Sequence, residues 1–208
     1  MQILDIGGGT GEIAELALIQ GHKVRVNDIS ADAIALAQDK LASYSDVDFV
    51  VSDLQDIECN KVDMVFCHAV LEWTKDPAAV IAKIVSCLKP GGLLSLSFFN
   101  RDAAIFGNAL YGNFDFIERG LDTKNAVRLN PHNPQYPRDV LAMLADNNAT
   151  ILSTAGIRCF HDYLRERQHQ IDKYDALLAL EQQYCDQEPY KWLGRYFHVI
   201  AQLPETEG

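Results

Sequence analysis

The sequence predicts an α/β fold in which a mostly parallel sheet carries helices on both faces. Short apolar segments alternate with amphipathic segments over the first hundred residues, which is typical of parallel strands joined by helices. A glycine-rich turn at 7–11 joins the first predicted strand to the first predicted helix, as in doubly wound folds that bind a nucleotide-like ligand. The 208 residues are 48% apolar and show no compositional break, so a single domain covering 1–208 is expected.

The first half supplies five strands, predicted at 3–6, 23–27, 47–51, 62–66 and 93–99. Apolar spacing predicts that the first helix packs on the sheet through Ile13, Leu16, Ala17 and Gln20. Ser30 is the expected N-cap of the second helix, and Asp76 followed by Pro77 marks the start of the third. Trp73 is expected in the core.

The second half is less regular. Residues 100–137 are polar and rich in Gly, Asn and Pro, which predicts a long irregular segment. A helix is predicted at 137–146, a strand at 149–155, a helix at 171–185 and a final strand at 196–202. The apolar stripe of the 171–185 helix is expected to face the core through Tyr174, Leu177, Leu178 and Tyr184.

The glycine turn indicates the kind of ligand. Its spacing is Gly7-x-Gly9-x-Gly11, and Glu12 occupies the position of the third glycine of the dinucleotide pattern. Glu12 and Glu15 would oppose a pyrophosphate at the start of the helix, which makes an NAD-dependent reductase the least favoured function. Asp28 ends the second strand, where a carboxylate can accept hydrogen bonds from ribose hydroxyls. A cofactor that lacks phosphates and carries a cationic centre fits this pattern.

With these features the sequence resembles the class I methyltransferases that use S-adenosylmethionine (SAM). The resemblance implies a Rossmann-like, seven-stranded, mostly parallel sheet whose last strand runs antiparallel. It also implies that Asp53 meets the adenine amine and that Leu54 packs on the ring. The connection at about 156–194 would then be a helical, cap-like insertion over the active site, carrying Arg158, His161, Tyr163, Arg165 and Arg167 towards Arg195 at the start of the last strand.

Four strings carry a narrower resemblance, to the bacterial tRNA 5-carboxymethoxyuridine methyltransferases: 68–73 (His-Ala-Val-Leu-Glu-Trp), 112–115, 160–166 and 194–196. This resemblance implies SAM-dependent methylation of the carboxylate of 5-carboxymethoxyuridine at wobble position 34, giving 5-methoxycarbonylmethoxyuridine and S-adenosyl-L-homocysteine. It implies the tRNA anticodon loop as partner and a cytoplasmic location. Residue by residue, the implied cofactor contacts are Gly7, Gly8, Asp28, Leu54 and His68.

This reaction would need no catalytic base, because a carboxylic acid with a pKa near 4 is already ionised at neutral pH. Proximity and orientation remain as the catalytic contributions. Arginine binds carboxylates bidentately, so Arg158 and Arg195 are candidates for substrate orientation. Tyr111, His161 and Tyr163 could add neutral hydrogen bonds or stack on the base.

One departure from the family concerns the N-terminus. Family members have several tens of residues before the first strand, including a cofactor-contacting arginine, whereas this sequence begins on the strand. We therefore expect weakened SAM binding, and calorimetry that shows unchanged affinity when an extension is added would contradict this. Two alternatives stay open: a methyltransferase for a small carboxylic acid, and a non-catalytic SAM-binding protein.

Charge and cysteine content limit the partners. The net charge of −11 disfavours nucleic acid overall, but residues 119–173 carry eight bases and six acids, which leaves a locally basic segment. No apolar run is long enough for a membrane span. The five cysteines are odd in number and lack C-x-x-C spacing, which predicts reduced thiols without a disulfide or a metal site.

Overall fold

A computed structural model describes residues 1–122 and 133–205. The strands are β1 (Gln2–Ile6), β2 (Lys23–Asp28), β3 (Val47–Val51), β4 (Val62–His68), β5 (Leu88–Phe99), β6 (Thr150–Ile157) and β7 (Tyr196–Gln202). The helices are α1 (Glu12–Ile19), α2 (Ala31–Lys40), α3 (Pro77–Ser86), α4 (Arg101–Leu110), α5 (Phe114–Glu118), α6 (Pro137–Asp146), α7 (His169–Asp172) and α8 (Tyr174–Tyr184).

The seven strands form one sheet in the order β3-β2-β1-β4-β5-β7-β6. Strand β7 is antiparallel to both β5 and β6, and the pairs among β1 to β5 are parallel. The predicted mostly parallel sheet with an antiparallel last strand is therefore confirmed. Because the carboxyl ends of parallel strands share one edge, the segments that follow β1, β2, β3, β4 and β5 meet there.

Two apolar clusters pack on the two faces of the sheet. Ile34 of α2 belongs to the first, with Ile3, Ala14 and Val24. The second contains Ile84 of α3, Leu144 of α6 and residues of the central strands such as Leu96. Helices thus cover both faces, as expected from the alternation of strands and helices.

The predicted helix starts are confirmed by their hydrogen bonds. The hydroxyl of Ser30 accepts the N–H of Ala33 at 3.2 Å, and Asp76 Oδ1 accepts the N–H of Ala79 at 3.0 Å. Pro77 occupies the first turn of α3, where its missing N–H costs nothing. These local signals are readable in sequence because each depends on residues within one turn.

The predicted packing face of α1 is wrong except at Ala17. Leu16 is 61% exposed and Ile13 is at the exposed limit, whereas Ala14, Ala17 and Leu18 are buried. The helix is apolar on more than one side, so periodicity alone does not determine which side meets the sheet. The small Ala14 and Ala17 side chains allow α1 to approach the strands closely.

The predicted irregular segment at 100–137 is also partly wrong, because it contains α4 and α5. The side chain of Asn100 starts α4 by accepting the N–H groups of Asp102 and Ala103. Residues 123–132 of this segment, including most of the Asn-Pro-His-Asn-Pro run, lie outside the described residues.

The prediction at 171–185 needs two corrections. The helix is divided into α7 and α8 at Lys173, whose φ of −122° is not helical. The expected core stripe is mostly exposed: Tyr174 is 56% exposed and Leu178 is 40% exposed, although Leu177 is buried. Trp73, also expected in the core, is 45% exposed. These side chains lie on or near loops and the insertion, where apolar periodicity does not report packing on the central sheet.

The prediction of five reduced cysteines is wrong for two of them. Cys59 and Cys87 form a disulfide that links the segment before β4 to the end of α3. Cys67, Cys159 and Cys185 are free thiols. An odd cysteine count does not exclude one bond, and these two cysteines, 28 positions apart in the sequence, come together only through the fold.

Candidate functional site

A cavity of about 590 Å³ opens at the carboxyl edge of the sheet, and we name it the Gly7 cavity. Four of the predicted cofactor residues line it: Gly7, Asp28, Asp53 and Leu54. The remaining lining residues include Asn27, Ala69, Val70 and Trp73. Residues that follow four neighbouring strands therefore enclose one space, in the position that ligands occupy in doubly wound folds.

The glycine turn forms one wall of this cavity, and the need for glycine is most evident at Gly7. Its φ is +66°, and a Cβ there would stand 2.4 Å from Cγ2 of Val70. Gly8 is required for a different reason, because a Cβ would collide with Val26 and with the carboxylate of Asp5. Gly8 is thus closely packed against β2, and the Gly7 cavity is not lined by it.

Asp28 joins the glycine turn to the start of α2. Its Oδ2 accepts the N–H of Gly9 at 3.0 Å, and its Oδ1 accepts the N–H of Ser30 at 2.8 Å. Each carboxylate oxygen has a second lone pair for a ligand. Asp53 similarly accepts the N–H of Gln55 at 2.8 Å, which starts the short 3₁₀ helix Leu54–Asp56.

The side chain of His68, at the end of β4, takes part in a hydrogen-bonded chain across three strands. His68 Nε2 lies 2.8 Å from the hydroxyl of Ser95 on β5, and that hydroxyl lies 2.9 Å from Nε2 of His198 on β7. Burial, and secondly the neighbouring His198, lowers the pKa of His68 from 6.5 to about 4. Burial also lowers the pKa of His198. Both rings are therefore neutral at physiological pH, and the Ser95 hydroxyl can donate to one ring while accepting from the other.

Two buried carboxyl groups close to this edge were not singled out from the sequence. Asp5 on β1 is 2% exposed, and burial, then repulsion by Asp28, raises its pKa to about 7. Glu72 is 1% exposed, and burial raises its pKa to about 6. The signal that could have identified Asp5 is an acidic residue inside an otherwise apolar strand.

A second cavity, of about 350 Å³, lies beyond the end of β5, and we name it the Arg195 cavity. Three of the predicted substrate residues line it: Tyr111, Tyr163 and Arg195. Its wall also contains Phe99, Asp162 and Arg167. The Tyr163 hydroxyl donates to the carbonyl of Leu193 at 2.7 Å, which fixes the ring against the insertion.

The two other predicted substrate residues, Arg158 and His161, lie beside Asp162. Arg158 is hydrogen-bonded to Oδ1 of Asp162, and His161 Nδ1 lies 3.6 Å from the same oxygen. Arg195 Nη1 is also 3.6 Å from it, and the Arg195 guanidinium lies 5.2 Å from the ring centroid of Phe99. Asp162 had no predicted role, although it belongs to the string at 160–166.

The backbone that carries these residues is attached to α8 through Glu181. Its carboxylate accepts the N–H groups of Cys159 at 2.6 Å, Phe160 at 2.9 Å and His161 at 2.8 Å. Arg158, just before them, has a φ of +62°, which is rare for a residue with a side chain. The insertion between β6 and β7 thus holds the Arg158–Tyr163 loop in place.

Comparison with known proteins identifies the family. The tRNA 5-carboxymethoxyuridine methyltransferase of Escherichia coli strain K12 is 39% identical over 217 aligned positions, which cover 100% of this chain and 82% of the relative. The chain belongs to this family. Residues 4–96 of the methyltransferase also match the family model described as a methyltransferase domain.

More distant matches agree with the fold. A ubiquinone biosynthesis O-methyltransferase of Xanthomonas campestris is 35% identical to this methyltransferase, over 58% of the chain and 52% of the relative. The magnesium protoporphyrin IX methyltransferase of Synechocystis, solved with bound S-adenosyl-L-homocysteine, superposes with a TM-score of 0.64 at 20% identity, covering 97% of this chain and 73% of that one.

The methyltransferase uses SAM as its cofactor, and the residues of the Gly7 cavity fit it. The close approach of backbone at Gly7 and the free lone pairs of Asp28 suit a ribose-bearing ligand without phosphates.

Among residues 1–122 and 133–205, no group of three or more His, Cys, Asp or Glu side chains could hold a metal ion. No helix in the same residues has the length and apolarity to cross a membrane.

Proposed function

We propose that this methyltransferase acts on tRNA in the cytoplasm, where it methylates the carboxylate of 5-carboxymethoxyuridine at wobble position 34. The products would be 5-methoxycarbonylmethoxyuridine and S-adenosyl-L-homocysteine. The identity to the E. coli relative over the whole chain supports this assignment. The observation that carries it is the pair of guanidinium groups, Arg158 and Arg195, beside a cavity at the same sheet edge as the Gly7 cavity.

We assign the cofactor contacts to the residues predicted from the sequence. Gly7 provides the closely approaching backbone, Gly8 keeps that turn packed against β2, and Asp28 accepts the ribose hydroxyls. Asp53 and Leu54 hold the adenine, since both line the Gly7 cavity next to Asp28. His68 contacts the methionine portion through its neutral ring.

We assign the substrate to the Arg195 cavity. Arg195 and Arg158 orient the carboxylate, because guanidinium groups match carboxylates in charge and shape. Tyr111 and Tyr163 lie against the base, and His161 adds a hydrogen-bond donor or acceptor at the Arg158 side. The insertion at 156–194 then acts as the cap over the reacting groups.

SAM supplies an electrophilic methyl group on a sulfonium. The substrate carboxylate needs no deprotonation at neutral pH, so the protein contributes alignment and exclusion of water rather than a base. No catalytic residue in the acid–base sense is assigned.

The deciding experiment is mass spectrometry of nucleosides from the tRNA of a deletion strain. Loss of the methyl-ester nucleoside with accumulation of 5-carboxymethoxyuridine is expected. Complementation with the wild-type gene should restore the ester, and the Gly7→Ala gene serves as the inactive control. An unchanged level of the methyl ester would refute the tRNA assignment.

A small-molecule carboxylic acid is the second candidate substrate. The net charge of −11 favours it, because an acidic protein repels polyanionic RNA. Competition separates the two: methylation of purified tRNA should be unaffected by free carboxylic acids if tRNA is the substrate.

A further inference from the structure

The carboxylate of Asp162 lies among three potential donors to the substrate. Its Oδ1 is hydrogen-bonded to Arg158 and lies 3.6 Å from both Arg195 Nη1 and His161 Nδ1. Its Oδ2 is buried and has no hydrogen-bond partner in the described part of the chain. The side chain is only 19% exposed, so water screens this carboxylate weakly.

This arrangement is held from several directions. Glu181 fixes the backbone N–H groups of 159–161, and the N–H of Arg195 donates to the carbonyl of Arg158 at 3.3 Å. Phe99 packs under the Arg195 guanidinium. Contacts within the protein therefore hold the arginines against Asp162 and set the positions of their remaining N–H groups.

The charge of the cluster formed by Arg158, Arg195 and Asp162 matters for methyl transfer. Two guanidinium groups and one carboxylate leave a net charge of +1. This charge balances the single negative charge of a substrate carboxylate. In the reaction a lone pair of the substrate oxygen forms the bond to the methyl carbon, and the methyl–sulfur bond breaks with its electron pair passing to sulfur. The substrate thus loses its negative charge and becomes a neutral ester.

A cluster with the full charge of two arginines would stabilise the ionised substrate more than the transition state. Binding that is stronger in the ground state than in the transition state lowers KM and also lowers kcat. It would also retain the carboxylate in its unreacted form. Arg167, which lines the same cavity, is exposed, so its charge is better screened than those of the cluster.

We propose that Asp162 is a positioning residue that lowers the positive charge of the substrate-binding arginines, so that they orient the carboxylate without holding it too tightly. The inference rests on the proposed function, since it requires a carboxylate substrate in the Arg195 cavity. It assigns a role to a residue that does not itself need to contact the substrate.

The test compares Asp162→Asn with Asp172→Asn. Both remove one negative charge from the insertion, but Asp172 is exposed on α7 and is hydrogen-bonded to Gln168. In the presence of S-adenosyl-L-homocysteine, D162N should bind tRNA bearing the carboxymethoxy group at least about threefold more tightly than D172N does. For tRNA that lacks this group, the two variants should have the same affinity. Its kcat should fall about tenfold or more, a change of about 1.4 kcal/mol in the barrier.

A second variant tests the charge balance directly. D162E keeps the negative charge of the cluster, so its tRNA affinity and its kcat should both stay close to those of the wild type. A purely steric role for Asp162 predicts instead that the longer Glu side chain is as harmful as Asn. Thermal unfolding of each variant identifies loss of fold, and D162E carries the test if the Asn variant does not fold.

The outcomes separate this inference from the proposed function. If wild-type protein does not methylate tRNA bearing the carboxymethoxy group, the proposed function fails. If the wild type is active but D162N binds that tRNA no more tightly than D172N, or keeps the wild-type kcat, Asp162 does not adjust the arginine charge. A D162E variant that shows the tighter binding and the lower kcat of D162N overturns the inference in the same way.

Discussion

The hydroxyl of Ser95 lies 2.8 Å from Nε2 of His68 and connects that ring to His198 on the neighbouring strand. The contact fixes the orientation of the His68 ring at the end of β4. Because Nε2 is used in this contact, a hydrogen bond from His68 to a ligand would have to come through Nδ1. Because burial keeps the ring neutral, His68 can act as a hydrogen-bonding group and not as a charge.

Replacing Ser95 with alanine should weaken SAM binding about two- to tenfold, the effect of one hydrogen bond of about 0.5 to 1.5 kcal/mol. The proposed His68 contact is then no longer oriented. Isothermal titration calorimetry measures the affinity, and S153A on the exposed part of β6 is the control. SAM affinity equal to that of S153A would show that Ser95 does not position the cofactor contact.

Replacing Gly7 with alanine should abolish SAM binding and destabilise the fold. The new Cβ would stand 2.4 Å from Val70 and would impose a φ of +66° on a residue with a side chain. G9A separates the two effects, since Gly9 has a φ of +55° and no atom within 4 Å of its added Cβ. Thermal unfolding should rank G9A well above G7A, and G7A/V70A should recover part of the loss. Equal melting temperatures for G7A and G9A would contradict the steric account.

The Asp5 carboxyl should make stability fall as pH rises. Its folded-state pKa of about 7 lies above its ordinary value of 3.8, so the protonated form is favoured in the folded protein. Stability is fully present below 3.8, falls as pH rises above that value and is lost once pH has passed through 7. At about 1.4 kcal/mol per pKa unit the difference is up to about 4 kcal/mol. The neutral D5N variant lacks this loss. The melting temperature of D5N minus that of the wild type should increase from pH 5 to pH 8. If this difference is the same at both pH values, the pKa of Asp5 is not raised.

Replacing Arg195 with lysine should lower kcat/KM for tRNA about tenfold or more, equivalent to about 1.4 kcal/mol of transition-state stabilisation. Lysine keeps the charge but cannot reproduce the planar contact with Phe99 or two parallel hydrogen bonds to a carboxylate. R138K is the matched control, because Arg138 makes a similar contact, 5.7 Å from the Trp192 ring. Equal losses in both variants would remove Arg195 from the substrate site.

Arg167 should contact the RNA backbone at the rim of the Arg195 cavity. Removing a phosphate contact lowers the slope of log K against log salt by about one. The affinity of R167Q for tRNA, measured from low to physiological salt, should show this smaller slope. R25Q, in which the ion pair of Arg25 with Asp48 on the neighbouring strand is removed, is the control and should keep the wild-type slope.

Much of the fold follows from local sequence. Strands β3 and β7 and helix α6 have the predicted bounds, because period-two or period-3.6 apolar patterns extend through each of them. Ser30 and Asp76 cap helices through neighbours within one turn. The glycine spacing and Asp28 indicate the ligand-binding edge of the sheet. Both signals are local, because the turn after β1 requires glycine at positive φ and the ligand requires a carboxylate directly after β2.

What only the tertiary structure decides are contacts between distant segments. Asp162 meets Arg158 within its own loop but Arg195 only because β6 and β7 are neighbours, and Ser95 joins His68 to His198 only in the strand order β4-β5-β7. The Cys59–Cys87 disulfide and the buried face of α1 depend on the fold in the same way. A local pattern reports whether a side chain prefers burial, whereas its partner depends on which strands the sheet places side by side.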